Sequence, residues 1–160
     1  MVSAALAGEG VVPVDISHTT PFQRRVLEVV SGIPRGEVRP YSWVAREAGS
    51  PRATRAVGNV MASNPVPLII PCHRVVRNDG STGNYAFGSP IKVRLLEDEG
   101  VPVSEISRTP YVATPTTGVF CHLTCRHARR IKPENRRTFR SAQEAVAAGY
   151  RPCRVCRPAV

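Results

Sequence analysis

Five cysteines fall into two sets that imply different chemistry. Cys72 stands alone in PCHRVVRNDG, residues 71–80, with His73 directly after it. Cys121, Cys125, Cys153 and Cys156 form a C-x3-C pair and a C-x2-C pair on either side of residues 126–152. A lone cysteine in an apolar segment is on general grounds more often inert packing, because only the thiolate is nucleophilic. A histidine within reach alters that reading, and a carboxylate that orients the imidazole makes a Cys-His-Glu relay that favours thiolate, with Glu99 the candidate carboxylate. In a regular strand His73 would face away from Cys72. The two can meet, directly or through water, only where a strand gives way to a turn.

The four later cysteines have the spacing of a tetrahedral zinc site. Residues 1–14 lack the basic start and long apolar centre of a secretory signal, and no apolar run approaches the roughly 20 residues that cross a bilayer. A cytoplasmic protein without membrane association is therefore expected, and in that compartment metal binding is favoured over disulfides. A segment of about fifty residues buries little apolar surface, so the metal is expected to fold it. With four sulfurs available, His122 and His127 are left for phosphate contacts or for supporting the site from outside.

Charge divides the chain in the same way. Residues 1–107 carry eleven Lys and Arg against ten Asp and Glu, whereas residues 108–160 carry eleven against two, which places +9 of the net +10 in the tail. Ten of those eleven cations are arginine, the better fork for phosphate, so a nucleic-acid partner is expected.

The elements that must position these residues follow from local signals. Thr20, Pro21 and Gln23 make a capping box with proline at the first helical position, and Phe22, Val26, Val29 and Val30 keep helical spacing. Further helices are predicted around residues 41–48, closed by Gly49, and around 51–62. Three helices with short turns read as a helix-turn-helix core. LIIPCHRVV then reads as an extended apolar segment, RNDGSTGN as a turn, and PIKVRLLEDEG as a last amphipathic helix. In the tail, Ser141, Glu144 and Gly149 sit at the cap, box and C′ positions of a short helix. Residues 101–117 are rich in Pro, Ser and Thr and read as a hinge.

Two stretches resemble known families. TTGVFCHLTC, RRIKPENRRTF and SAQEAVAAGYRPCRVCRP resemble the zinc-binding DNA-repair domain of the bacterial adaptive-response (Ada) protein. That resemblance implies zinc on Cys121, Cys125, Cys153 and Cys156, with Cys121 accepting a methyl group from a methylated backbone phosphate. The chain departs from the family wording at residues 122–124, HLT, where an arginine, a proline and a serine are common. The runs TPFQRRVLEVVSGIPRGEV, RATRAVGNVMASNPVPLIIPCHRVV, GNYAFG and KVRLLEDEG look like the active-site domain of O6-alkylguanine-DNA alkyltransferases. By that resemblance Cys72 takes the alkyl group from guanine O6 and is consumed. His73 and Glu99 would generate its thiolate through a water, Tyr41 would assist the departing guanine, and Asn64 would brace the turn before the active-site segment. Tyr85 would line the pocket, while Arg55, which enters the duplex, and Arg52 would contact DNA. Pro40 stands where a capping serine is common, no N-terminal companion domain precedes residue 20, and the zinc domain follows the alkyltransferase domain, the reverse of the adaptive-response order.

Independently of that likeness, Ala53, Ala56 and Gly58 give the third helix a thin face, suited either to a minor groove about 6 Å wide or to close helix packing. The resulting expectation is an α+β chain: a lead-in over 1–18, a winged-helix-like helix-turn-helix alkyltransferase domain over 19–101, a linker over 102–116, and a small four-cysteine zinc-binding α/β domain over 117–160. It would act as a monomer on double-stranded alkylated DNA. The competing expectation is a non-catalytic sensor of alkyl lesions that recruits other repair machinery; retention of Cys72, His73 and Glu99 separates the two.

Overall fold

The structure is a computed structural model that describes residues 2–5 and 11–160. It begins with an antiparallel pair, β1 (Val2–Ala5) and β2 (Val11–Val14), with Val2 opposite Val14. Val14 and Ile16 are buried with the three helices that follow. The expected loose lead-in is therefore corrected over its described residues, its residues 1 and 6–10 lying outside them: the two backbone segments pair, and the buried side chains of Val14 and Ile16 anchor the second to the core.

Helix α1 (Pro21–Ser31) opens with the expected capping box, Thr20 Oγ1 accepting from the Gln23 N–H and Gln23 Oε1 accepting from the Thr20 N–H. It buries Val26, Leu27 and Val30 against Trp43 and Val44 of α2 (Tyr41–Glu47) and Val57, Val60 and Met61 of α3 (Thr54–Ala62). Spacings of three and four residues place those side chains on one face of each helix. Pro40 precedes α2 without a side-chain cap.

The segment around Cys72 is not a continuous strand. Cys72–Arg74 is a 3-10 turn, and only Val75–Val76 (β4) pairs, in parallel, with Arg39–Pro40 (β3). Helix α4 (Ser89–Asp98) packs Lys92 and Leu96 inward, and Gly100, at φ +80°, takes the left-handed conformation that ends it.

The hinge expected over 102–116 is also corrected. Residues Val103–Ile106 form α5 and Tyr111–Thr114 form β5, with Ile106, Tyr111, Val112 and Ala113 buried. Pro110 and Pro115 flank that strand rather than mark a flexible joint. β5 is an inner strand of a four-stranded sheet ordered β7 (Arg137–Phe139), β5, β6 (Val119–His122), β8 (Arg151–Pro152). The β5 pairings are antiparallel and β6–β8 is parallel. Helix α6 (Ala142–Ala147) covers it, with Ser141 accepting from the Glu144 N–H at 3.1 Å.

One of the three apolar clusters spans the two halves. Val38, Val76, Leu96, Val101 and Ile106 pack in the same cluster as Val112, Leu123 and the four later cysteines. Gly80, at φ +83°, lies so close to α5 that an added Cβ would fall 2.0 Å from the Ile106 carbonyl oxygen. Only glycine allows that approach.

Candidate active site and metal centre

Cys72 sits 4 % exposed at the foot of a cleft of about 860 Å³ whose walls include Tyr41, Arg55, Gly58, Arg77 and Tyr85. The open face of α3 forms one wall, and the 3-10 turn carries the sulfur into it. Asn64, just past α3, donates through Nδ2 to the Ile70 carbonyl at 2.9 Å and accepts at Oδ1 from the Val66 N–H at 3.1 Å. It thus ties the end of α3 to the segment entering the turn. Burial pushes the Cys72 thiol up, while a hydrogen bond from Asn64, the charge of Lys92 and backbone N–H groups draw it back.

His73 and Glu99 meet, with His73 Nε2 2.9 Å from Glu99 Oε1. Burial alone would raise the Glu99 carboxyl, but hydrogen bonds from His73, Arg74 and the Gly36 N–H outweigh it and hold the group down to about 2. Arg74 donates from Nε and Nη2 to Glu99 and from Nη1 to the Ile33 carbonyl. His73 Nδ1 is buried without a protein partner, on the same turn as Cys72.

Two residues packed around this candidate site were missed in the sequence. Lys92 is wholly buried, donates to the Val75 carbonyl at 2.6 Å, and holds its Nζ 5.9 Å from the centroid of the Tyr41 ring. Burial pushes its pKa down to about 8, against the opposing pull of the Cys72 charge. The available signal was its place four residues before Leu96, on the apolar stripe of α4. Arg74 carried no comparable signal, since its role depends on Glu99 arriving from another element.

Tyr41 and Tyr85 both turn toward this site. Burial, then the Cys72 charge, raises both phenols, that of Tyr85 to about 12. Arg55 is exposed at the cleft wall. Arg52 is exposed in the turn before α3 and is not among the residues lining the cleft.

In the second half, Cys121 lies on β6, Cys125 follows beyond its end, and Cys153 and Cys156 bracket the turn after β8. Their four sulfurs lie within 4.8 Å of one another, and all four residues are buried. A tetrahedral zinc with bonds of about 2.3 Å spaces its sulfurs about 3.8 Å apart, so the cage fits that ion with small adjustments. Hydrogen bonding between the sulfurs raises the Cys121 thiol and lowers that of Cys125. Such crowding of ionisable sulfurs is what a dication relieves.

Cys121 and Cys153 line a cavity of about 570 Å³ together with Thr116, Arg130, Lys132 and Arg154, whereas Cys125 and Cys156 do not. His127 is on that cavity's wall. Of the two roles expected for His122, only support from outside the site is met, and by the backbone: its N–H donates to Cys156 Sγ at 3.4 Å, while its ring is buried against Tyr111 at 5.4 Å between centroids. Packing of alternate β6 side chains turns it away from any phosphate.

What unites the two centres is buried cysteine sulfur in a hollow that arginines also line; they define a cysteine protein of mixed helix and sheet, with one site built on a single sulfur and the other on four. The chain belongs to the family described as 6-O-methylguanine DNA methyltransferase, DNA binding domain, which matches residues 21–101, and residues 105–159 match the metal binding domain of Ada. It is 52 % identical over 87 residues to the methylated-DNA–protein-cysteine methyltransferase of Methanothermobacter thermautotrophicus, covering 54 % of this chain and 48 % of the relative. Against the human protein of that name it is 46 % identical over 94 residues, covering 55 % and 45 %. The crystal structure of Mycobacterium tuberculosis OGT in complex with DNA superposes with a TM-score of 0.51 at 40 % identity, covering 56 % of this chain and 55 % of that one. The chain thus spans about half the length of the relatives it matches. Among the described residues, no helix is long and apolar enough to cross a membrane.

Proposed function

We propose that this protein repairs double-stranded DNA in the cytoplasm, as a monomer, by moving an alkyl group from guanine O6 to Cys72. The observation that carries the reading is a buried thiol at the foot of the cleft beside a His73–Glu99 pair at 2.9 Å. The damaged nucleotide must leave the stack to present its O6 substituent to a sulfur at such depth, and a cleft of about 860 Å³ can take one base. The α3 wall, slim at Gly58, approaches the minor groove as the recognition part of a helix-turn-helix, and Arg55 fills the gap left in the duplex.

The transfer is a direct displacement. His73 takes the thiol proton through a water at Nδ1, its other nitrogen fixed by Glu99. Cys72 Sγ then attacks the alkyl carbon, the S–C bond forms as the C–O6 bond breaks, and the electron pair stays on guanine. Tyr41 supplies a proton to that leaving group, Tyr85 lines the base pocket, and Lys92 steadies the thiolate. A buried thiol of raised pKa gives a more nucleophilic sulfur once ionised. The thioether is stable, so each molecule acts once.

At the second centre, zinc would keep four sulfurs as thiolates with a formal net charge of −2. Ordinary phosphodiesters are repelled by it, whereas a neutral methylphosphotriester is not. Cys121 Sγ, which lines the basic cavity, attacks the methyl carbon, the S–C bond forming as the C–O bond to the phosphate breaks and leaves an ordinary phosphodiester anion, while Arg130, Lys132 and Arg154 hold flanking phosphates.

The test is intact mass and peptide mapping after mixing zinc-loaded protein with a duplex holding one O6-methylguanine. One methyl on the Cys72 peptide is expected, and none with undamaged DNA. Lesion-selective binding without transfer would replace this reading with a sensor.

A further inference from the structure

Three successive residues of the first half, Gly36 and Val38 by their backbone and Glu37 by its carboxylate, are held by residues that surround one cysteine of the second. The Gly36 carbonyl accepts from Arg129 Nη2, Glu37 Oε1 accepts from the Arg126 N–H at 3.3 Å, and the Val38 N–H donates to Thr124 Oγ1 at 3.0 Å. Thr124 and Arg126 flank Cys125, and the Arg129 N–H donates to the Cys125 carbonyl at 3.2 Å. On the active-site side, the Gly36 N–H donates to Glu99 Oε2 at 3.2 Å, and Glu99 holds His73. Gly36, at φ +78°, is pressed between both: an added Cβ would lie 2.9 Å from Arg129 Nη2 and 3.0 Å from the Glu99 carbonyl oxygen. An unbroken series of bonds therefore runs from Cys125 through Arg129, Gly36 and Glu99 to His73.

We propose that the four-cysteine module is a positioning element for the Cys72 site, with Arg129 setting Gly36 so that Glu99 orients His73. This rests on the reading of Cys72 as the reacting sulfur. Removing Arg129 frees the Gly36 peptide to tilt, which loosens one of the bonds that fix the Glu99 carboxylate and thereby the His73 ring. Loss of metal has the same effect by releasing Cys125 and the turn that carries Arg129. The groups that face Cys72 from its surroundings are His73 on its own turn, Tyr41 from α2, Lys92 from α4, and Arg77 and Tyr85 from the loops of the cleft. Glu99 meets His73, Arg74 and the Gly36 N–H. Among the described residues, the side-chain hydrogen bond of Arg129 to the first half is the one to the Gly36 carbonyl.

The experiment needs no DNA. Alkylation of Cys72 by iodoacetamide, followed by peptide mapping across pH in zinc-loaded protein, reads the ionisation of the thiol and its relay. Arg129→Ala is expected to lower the Cys72 rate at neutral pH roughly two- to tenfold, the range of one lost hydrogen bond, and to displace the pH profile. Arg129→Lys, which keeps a donor, is expected to recover much of it, and Arg140→Ala, at the far edge of the module, to leave it unchanged. An Arg129→Ala profile superimposable on wild type overturns the proposal, even if the melting temperature falls. Should Arg129→Ala not fold, Thr124→Val gives a second cut at the same brace, and chelation of the metal gives a third. Cys72 reactivity that ignores both also overturns it. An O6-methylguanine duplex that leaves wild type unmethylated tells against the proposed repair activity alone, because the labelling result stands without it.

Discussion

Replacing Lys92 with methionine should make the protein more stable and less active. Lys92 is wholly buried, and its pKa falls from an ordinary 10.5 to about 8. At about 1.4 kcal/mol per pKa unit, holding the ammonium in place costs the fold about 3 kcal/mol at neutral pH. Methionine has similar length and no charge, so Lys92→Met removes that cost but leaves the Val75 carbonyl without its donor, a loss of about 1–2 kcal/mol. The net expectation at pH 7 is a gain of about 1–2 kcal/mol, or about 3–6 °C in melting temperature for a chain of this size. Because the folded state binds its proton less tightly than the unfolded state, the wild-type penalty is full below pH 8 and fades as pH rises toward 10.5. By about pH 9.5 it is smaller by about 2 kcal/mol, so the advantage of the variant should vanish. Urea unfolding of both proteins at about pH 7 and about pH 9.5 measures this. A variant less stable at neutral pH, or a gap independent of pH, refutes the reasoning. The same substitution removes the cation that steadies the Cys72 thiolate, and single-turnover methyl transfer should slow about tenfold or more.

Glu99→Gln leaves Arg74 and His73 without their carboxylate; a loss of about 2 kcal/mol is expected at neutral pH, after allowance for partial solvent access. Since the Glu99 pKa is depressed from 4.5 to about 2, the stabilisation it gives is present above pH 4.5 and lost as pH falls toward 2, so thermal melts should show the gap to wild type narrowing in acid. Gly58→Ala meets nothing within 4 Å in the free protein and should stabilise α3 by about 0.5–1 kcal/mol, while an electrophoretic shift assay should show weaker duplex binding. Gly80→Ala has no such room beside the Ile106 carbonyl, and chemical unfolding should show it destabilised by more than about 2 kcal/mol. Zinc chelation should shift the melting of both halves together in one calorimetric transition, and two separate transitions would contradict a common core.

Much of the plan was legible because its signals are local. The Thr20–Gln23 box, the Ser141 cap, Gly49 and Gly149 at helix ends, and the spacing of four cysteines need only neighbouring residues to be read. Residues 103–114 were misread because α5 and β5 are each four residues long, and proline and threonine there carry the same compositional mark as a hinge. The lead-in was misread for a related reason: Val14 and Ile16 are held by contacts with helices that lie outside any local window. At the candidate active site, motif and resemblance singled out Cys72, His73 and Glu99, and the structure brings His73 against Glu99. The 3-10 turn that brings the first two round was not legible, since it arises from Pro71 and the pairing of β3 with β4. Lys92 escaped notice because a lysine among apolar neighbours normally extends its amine to water, and here helix α4 gives it no route out.

The shared core also limits how such a chain can be cut or recombined. The peptide between α4 and α5 is short and looks like a natural place to divide a gene, yet severing it would leave Val38, Val76 and Leu96 on one fragment and Val112 and Leu123 on the other as bare greasy seams. Neither fragment would be a true freestanding building block. Transplanting either half into another protein would require rewriting these seam residues together.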